Sequence, residues 1–283
     1  MPSVALVTCA ELPELDADDQ LIAPALAALG VHAAPAVWSD PSVDWEAFDL
    51  VVLRNPWDYT DRLAEFLAWA ASVQRLANPA EVLAWNTDKR YLGELAAAGL
   101  PVVETLFLAP GEAVPALDRE VVAKPTVSAG SRDTERFRPA AREALLAHVA
   151  ALHGDGRTAM VQPYLDRVDE AGETALLHLG GAYSHAIRKG PMLTAGRAMV
   201  DGLYVEEDIR PREPSAAERE VAAAVMAHVA GRFGDLLYAR VDLLVGDDDT
   251  PVLLELELTE PSLFLGTAPG APDRLAAAIA ARL

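Results

Sequence analysis

Residues 236–258 read Leu236-Leu-Tyr-Ala-Arg240-Val-Asp242-Leu-Leu-Val-Gly-Asp-Asp-Asp-Thr250-Pro-Val-Leu-Leu-Glu255-Leu-Glu257-Leu258. Two apolar runs, Leu236 to Val245 and Val252 to Leu258, flank the acidic turn Asp247-Asp248-Asp249, which predicts a pair of strands. Strand side chains repeat every two residues, so Arg240 and Asp242 share a face, as do Glu255 and Glu257. Paired across the turn, the strands bring three carboxylates and an arginine together in an otherwise apolar setting. Crowded carboxylates repel one another and lose hydration there. A hard cation such as Mg2+ relieves both costs, commonly with one or two carboxylates and phosphate oxygens. The competing reading is an amphipathic hairpin with a solvated acidic face, and periodicity alone does not choose between them.

Upstream, the pattern alternates strands and helices. Val4 to Val7 and Leu50 to Leu53 are compact apolar runs that suit buried parallel strands, with a weaker strand at Val31 to Val37. Asp18 to Leu29, closed by Gly30, and Asp61 to Leu76 have helical periodicity. This βαβα opening predicts a small doubly wound α/β domain. After a break at Asn78-Pro79, Thr87 is the expected N-cap of a helix ending at Gly99-Leu100-Pro101. Strands are expected at Val102 to Phe107, Glu120 to Lys124 and Thr158 to Gln162, with a helix from Ala140 to Leu152. Glu173 to Leu179 and Ala182 to Arg188 read as a hairpin across Gly180-Gly181. Gly190 to Glu207 lacks periodicity and reads as a long loop. Ser215-Ala-Ala-Glu218 is a capping box opening a helix to Arg232, and an Ala-rich helix starts near Pro272.

Composition excludes several classes. The 283 residues carry 23 Lys+Arg and 43 Asp+Glu, a net charge of −20, which argues against a basic nucleic-acid binder. With 52% hydrophobic residues, the chain is not a disordered acidic polymer. One cysteine, Cys9, makes no internal disulfide and reads as a buried core thiol. The acidic N-terminus is not a signal peptide and no apolar run spans a bilayer, so a cytoplasmic, soluble protein is expected.

Lysines are few, so their positions inform. Lys89 opens a helix. Lys124 ends a strand immediately before Pro125-Thr-Val-Ser128-Ala-Gly130-Ser131-Arg132, where a point charge and free backbone N–H groups are offered together. It is not a P-loop, and taken alone a surface turn with a solvated lysine is the better explanation.

In order and together, Lys89, Val-Val-Ala-Lys124-Pro with its Ser/Gly loop, Met-Val-Gln162-Pro163-Tyr164-Leu165, Gly-Glu173, Ile-Arg188-Lys189, Arg240-Val-Asp242 and Leu-Glu255-Leu-Glu257 resemble the ATP-grasp superfamily. The resemblance runs from about residue 86 to the C-terminus. It implies an α/β ATP-grasp fold with a doubly wound pre-grasp domain (1–86) and two ATP-clamping lobes (87–162 and 163–283). It further implies that Lys89 and Lys124 hold ATP phosphates under the loop bearing Ser128, Gly130 and Ser131. Gln162, Pro163, Tyr164 and Leu165 become the adenine hinge, and Glu173 the ribose ligand. Lys189, with Arg188, contacts the γ-phosphate, and Arg240 steadies the transferring phosphoryl group or a later oxyanion. Asp242, Glu255 and Glu257 ligate one or two Mg2+ ions, or Mn2+ in their place. Glu257 stands where Asn is commoner, and Gln162 where Glu is commoner.

A narrower resemblance lies in Leu-Arg54-Asn-Pro-Trp57-Asp58-Tyr59, Trp85-Asn86-Thr-Asp88-Lys89, Tyr183-Ser-His185-Ala-Ile-Arg-Lys189 and Glu255-Leu-Glu-Leu-Thr-Glu260-Pro-Ser-Leu-Phe264. These are similar to the subgroup containing the O-ureidoserine cyclo-ligase of cycloserine biosynthesis. The implied reaction joins a carboxylate and a nitrogen of small amino-acid-like substrates through an acyl phosphate. Arg54, Trp57 and Tyr59, after a parallel strand, are the expected substrate residues, together with His185 and Glu260. For Trp57 and Tyr59 the alternative is interdomain packing, and for Arg54 an ion pair with Asp58; for His185, a locally satisfied strand-face residue; for Glu260, a turn cap. Loops 128–132 and 190–207 are the expected lids. No nucleic-acid or membrane partner is expected, and a homodimer stays open. Two other functions also stay open: an ATP-grasp phosphotransferase, and a nucleotide-binding regulator with a degraded site.

Overall fold

The computed structural model describes residues 1–191 and 208–283. Its first sheet is parallel, in the order β2-β1-β3-β4, from β1 (Ser3–Thr8), β2 (His32–Val37), β3 (Leu50–Asn55) and β4 (Leu76–Ala77). Every residue of β3 is buried, as expected of a strand covered on both faces. Alternation divides β1 between two cores. Val4 and Leu6 pack with α1 (Ile22–Ala28) and, further along the chain, α8 (Ala271–Ala280). Ala5 and Val7 pack with α2 (Leu63–Ser72) and α3 (Ala80–Asn86). Cys9 is fully buried, as its apolar flank predicts.

The other two sheets are antiparallel. One joins β5 (Leu106–Leu108), β8 (Ala159–Pro163), β6 (Val121–Pro125) and β7 (Glu135–Phe137), with α5 (Arg142–Gly154) packed on it. The other runs β11 (Ile209–Pro211), β10 (Ala182–Lys189), β9 (Glu173–Leu179), β12 (Tyr238–Val245) and β13 (Pro251–Glu257). The expected hairpins at 180–181 and 247–249 both form. So does the Ser215 capping box at the start of α7 (Ala216–Phe233). α7 buries Ala222, Val225 and Val229 in the same core as Val7, Phe66, Val241 and Leu256, so one core continues from the parallel sheet into the antiparallel one.

Several local expectations change. Helix 18–29 divides into a 3-10 turn at Asp19–Leu21 and α1. Helix 61–76 shortens to α2, preceded by a 3-10 turn at Trp57–Asp61. Thr87 closes α3, its Oγ1 donating to Leu83 O at 2.9 Å, and the next helix is α4 (Tyr91–Ala97). The strand expected at 102–107 is mostly replaced by bonds to the outer edge of β13. Leu253 N donates to Pro101 O at 2.7 Å and Val103 N to Leu253 O at 2.9 Å. Asn86 and Tyr91 complete that edge: Asn86 Nδ2 donates to Leu256 O at 2.8 Å, and Leu256 N donates to Tyr91 Oη at 2.8 Å. Side chains thus satisfy backbone groups that a bare edge strand would expose. The loop expected at 190–207 falls mostly outside the described residues.

Candidate active site

The β12–β13 register sets Arg240 opposite Glu257 and Asp242 opposite Glu255, so the four side chains gather as their alternation predicts. Lys189 and Glu173 enter from the adjacent hairpin as a paired position of β10 and β9. Lys124 comes from β6. Lys89 lies just before α4, its backbone N–H held by Thr126 O at 2.8 Å. These groups line one cavity of about 620 Å³ between the two antiparallel sheets and the parallel one.

Charges interleave. Lys89 Nζ lies 3.1 Å from Glu255 Oε1, and Lys124 Nζ 3.8 Å from Glu255 Oε2. Lys189 Nζ lies 2.6 Å from Glu173 Oε1 and 2.8 Å from Asp242 Oδ2. Arg240 donates through Nε and Nη2 to Asp242, both at 2.9 Å, and also to Glu257. Burial raises the cost of every charge here, and partners decide which survive. Burial would push Asp242 upward, but Arg240 and Lys189 hold it well below the usual carboxylate range. Lys89 and Lys124 likewise overcome burial to lower Glu255. Burial prevails at Glu173 and Glu257, each pushed up to about 7, and at Glu260, pushed up to about 8 with Glu257 adding to the rise. Burial also lowers the Lys124 ammonium.

The end of β8 and the residues just after it border the cavity with Gln162, Pro163, Tyr164 and Leu165. Gln162 Nε2 donates to Thr105 Oγ1 at 2.9 Å, which fixes the amide's orientation. Tyr164 is held by its hydroxyl on Asp169 at 2.5 Å and by the Arg136 guanidinium 3.4 Å from the ring centroid. Ser128, Gly130 and Ser131 line the opposite rim. Gly172 is required at the turn before Glu173: its φ is +72° and a Cβ there would meet Lys189 O at 2.4 Å.

Among the residues expected to meet substrate, Trp57, Tyr59 and Glu260 line the cavity. Trp57 Nε1 donates to Glu260 O at 3.3 Å. Arg54, His185 and Arg188 are not on the cavity wall. Arg54 is 0% exposed and pairs with Asp19 at 2.8 Å, while also donating to Pro261 O at 2.6 Å; it clips the parallel sheet to the segment after β13. His185 Nε2 meets Leu263 O at 2.9 Å and its Nδ1 meets Ser184 Oγ at 2.9 Å, the local satisfaction of a strand-face histidine. Arg188 donates to the carbonyls of Ala171 and Glu170 at 2.8 and 3.1 Å, and so braces the turn that delivers Glu173. Sequence reading passed over Asp16, Asp18, Ser262 and Phe264, which also border the cavity. For Asp16 and Asp18 the signal was present: an acidic run following a parallel strand, where ligands of open α/β sheets sit.

Among the described residues, no three His, Cys, Asp or Glu side chains stand as a ready metal-binding group; the acidic side chains face cations instead. The donors still suit a hard ion. Asp242 stands directly opposite Glu255, and Mg2+ needs only one or two carboxylates when phosphate oxygens and water complete its shell.

Two antiparallel sheets closing over a cavity, with Lys89 and Lys124 on one side and Lys189 among the acid-rich strands on the other, define an ATP-grasp ligase. Solved structures bear out the fold. The ATP-grasp ligase PsnB, complexed with its minimal precursor, matches with a TM-score of 0.67 at 19% identity, covering 100% of this chain and 99% of that one. The D-alanine–D-alanine ligase of Bacillus anthracis matches with a TM-score of 0.64 at 14% identity, covering 100% and 97%. Closer likeness exists to D-cycloserine synthetase DcsG, whose crystal structure matches with a TM-score of 0.91 at 38% identity over 99% of both chains. The cycloserine biosynthesis protein DcsG of Streptomyces lavendulae is 40% identical, covering 100% of this chain and 99% of that protein. The model of the N-terminal domain of D-cycloserine synthetase DcsG matches residues 4–78. The chain belongs to the DcsG family of ATP-grasp ligases. No helix among the described residues is long and apolar enough to cross a membrane.

Proposed function

We propose that this ligase closes a ring within O-ureidoserine, using ATP to activate the carboxylate. The single observation that carries the reading is the partition of one cavity. Lys89, Lys124, Lys189 and Arg240 lie on its phosphate side, while Trp57, Tyr59, Asp16 and Glu260 lie beside the parallel sheet. The first group suits a triphosphate and the second an amino acid bearing an ammonium group. On this division, residues 1–86 together with Glu260 supply the substrate side, and the rest of 87–162 and 163–283 supplies the nucleotide clamp.

In the proposed sequence a carboxylate oxygen attacks the γ-phosphorus, the bond to the β,γ-bridging oxygen breaks, and ADP leaves. The nitrogen bonded to oxygen then attacks the acyl carbon, phosphate departs, and a five-membered ring closes. Loss of the carbamoyl group to water gives the free cyclic product. When bound, Mg2+ supplies charge neutralisation at the transferring phosphoryl group, held by Asp242 and Glu255 with Glu257 nearby. Lys89 and Lys124 position the phosphates under the loop bearing Ser128, Gly130 and Ser131, and Lys189 offsets charge at the γ-phosphate. Arg240, raised well above the ordinary arginine range by Asp242 and Glu257 despite burial, stays cationic and faces the developing acyl oxyanion. The backbone of 162–165 takes the adenine edge and Glu173 the ribose hydroxyls.

An ADP-release screen over amino acids and dipeptides that includes O-ureidoserine tests the reading. The expected result is ADP, phosphate and a cyclic product with O-ureidoserine. ADP release only with other substrates, or a phosphorylated product that accumulates, would overturn it.

A further inference from the structure

Two walls of the cavity come from distant parts of the chain. Trp57 and Tyr59 belong to the 3-10 turn Trp57–Asp61 after β3, and Ser128 to Ser131 belong to the loop after β6. The loop is fastened to its own lobe at both ends. Lys89 Nζ donates to Ser128 O at 2.7 Å, Arg157 pairs with Asp133 at 2.6 Å, and His148 Nε2 meets Asp133 O at 3.1 Å. Between these anchors Gly130, Ser131 and Asp133 take left-handed backbone conformations, with φ of 61°, 57° and 55°. Left-handed positions reverse the chain sharply. Arg132, among them, reaches away from its lobe, and its Nη1 lies 2.6 Å from Asp61 Oδ1. Asp61 is the last residue of the turn that carries Trp57 and Tyr59.

We propose that the Arg132–Asp61 pair is a positioning device that couples nucleotide occupancy of the 128–131 loop to order in the 57–61 wall. It rests on the reading above that residues 128–131 take nucleotide phosphates. Nucleotide that fixes the loop fixes Arg132, and Arg132 holds Asp61 and with it the turn presenting Trp57 and Tyr59. Coupling of this kind is reciprocal, so a substrate resting on Trp57 and Tyr59 strengthens nucleotide binding by the same factor. Both partners are partly exposed, and such pairs add little to global stability, so breaking this one leaves the fold standing.

Hydrogen exchange on the full chain, with and without saturating Mg·AMPPNP, tests the coupling. The proteins compared are the parent, Asp61→Asn, Arg132→Gln and the swapped pair Asp61→Arg with Arg132→Asp. In the parent, the nucleotide is expected to slow exchange at 128–134 and also at 57–63. Each single variant keeps the first effect and loses about two- to fivefold of the second, and the swap restores it. Protection of 57–63 that persists in the single variants overturns the proposal, as does its absence in the parent or a swap that fails to restore it. Absence of protection at 128–134 in the parent overturns the nucleotide-site reading itself, a separate and distinguishable result.

Discussion

Arg54 stands one residue before the end of β3, with its guanidinium buried on Asp19, Leu53 O and Pro261 O and 5.0 Å from the Tyr238 ring centroid. The position at the end of a parallel strand invited a substrate role. What the local sequence could not convey is Asp19, 35 residues earlier, and the Pro261 carbonyl, 207 residues later. Arg54→Ala is therefore expected to cost about 3–5 kcal/mol in urea unfolding, because Asp19 is left as an uncompensated buried charge. A loss confined to substrate KM with unchanged stability would return Arg54 to the site. Glu255 is legible in the opposite way: its β13 alternation puts it on one face with Glu257, and the structure turns that face to Lys89 and Lys124. Glu255→Gln should lower turnover at least about a hundredfold by weakening the hold on the Mg2+ proposed to neutralise the transferring phosphoryl group, with thermal unfolding still cooperative. Retained turnover would remove Glu255 from the metal and phosphate assignment.

Elements whose own periodicity carries the information were read well. The β12–β13 and β9–β10 hairpins and the Ser215 cap all formed as expected. Strand 102–107 and the Thr87 cap failed because Pro101, Val103, Asn86 and Tyr91 serve the β13 edge, a partner some 150 residues away that no local window contains. The segment after β13 likewise acquires its meaning only by packing, since the half-buried Glu260 meets Trp57 through its carbonyl and Tyr59 through its carboxyl. Its carboxyl, ordinarily near 4.5, is pushed up to about 8 by burial and by Glu257. The unfolded chain releases this proton near pH 4.5 and the folded chain near pH 8, so between those values the folded state holds more protons. Stability of the ligand-free protein should therefore fall as pH rises through that window, by on the order of 1 kcal/mol per pH unit from this group. Thermal unfolding from pH 5 to 8 checks it: Glu260→Gln should flatten the decline, and an unchanged slope would contradict the buried, protonated carboxyl.

Across the whole molecule, a net charge of −20 coexists with a cavity that gathers Lys89, Lys124, Lys189 and Arg240. The three lysines were legible because lysine is scarce here and each lies near the end or start of an element, and Arg240 because it alternates with Asp242 on β12. Asp16 was not, because it lies far from Glu260 in sequence and the two share a cavity wall only when the parallel sheet docks on the β13 end. That docking also sets Trp57, Tyr59 and Glu260 against the lysines of the same cavity, the juxtaposition on which the proposed acyl-phosphate route rests. The most direct test is isotope transfer with O-ureidoserine labelled with ¹⁸O in its carboxylate. The account predicts that the inorganic phosphate released during ring closure carries one labelled oxygen per turnover. Phosphate free of label, with ADP still formed, would contradict activation of the carboxylate and point to phosphoryl transfer elsewhere.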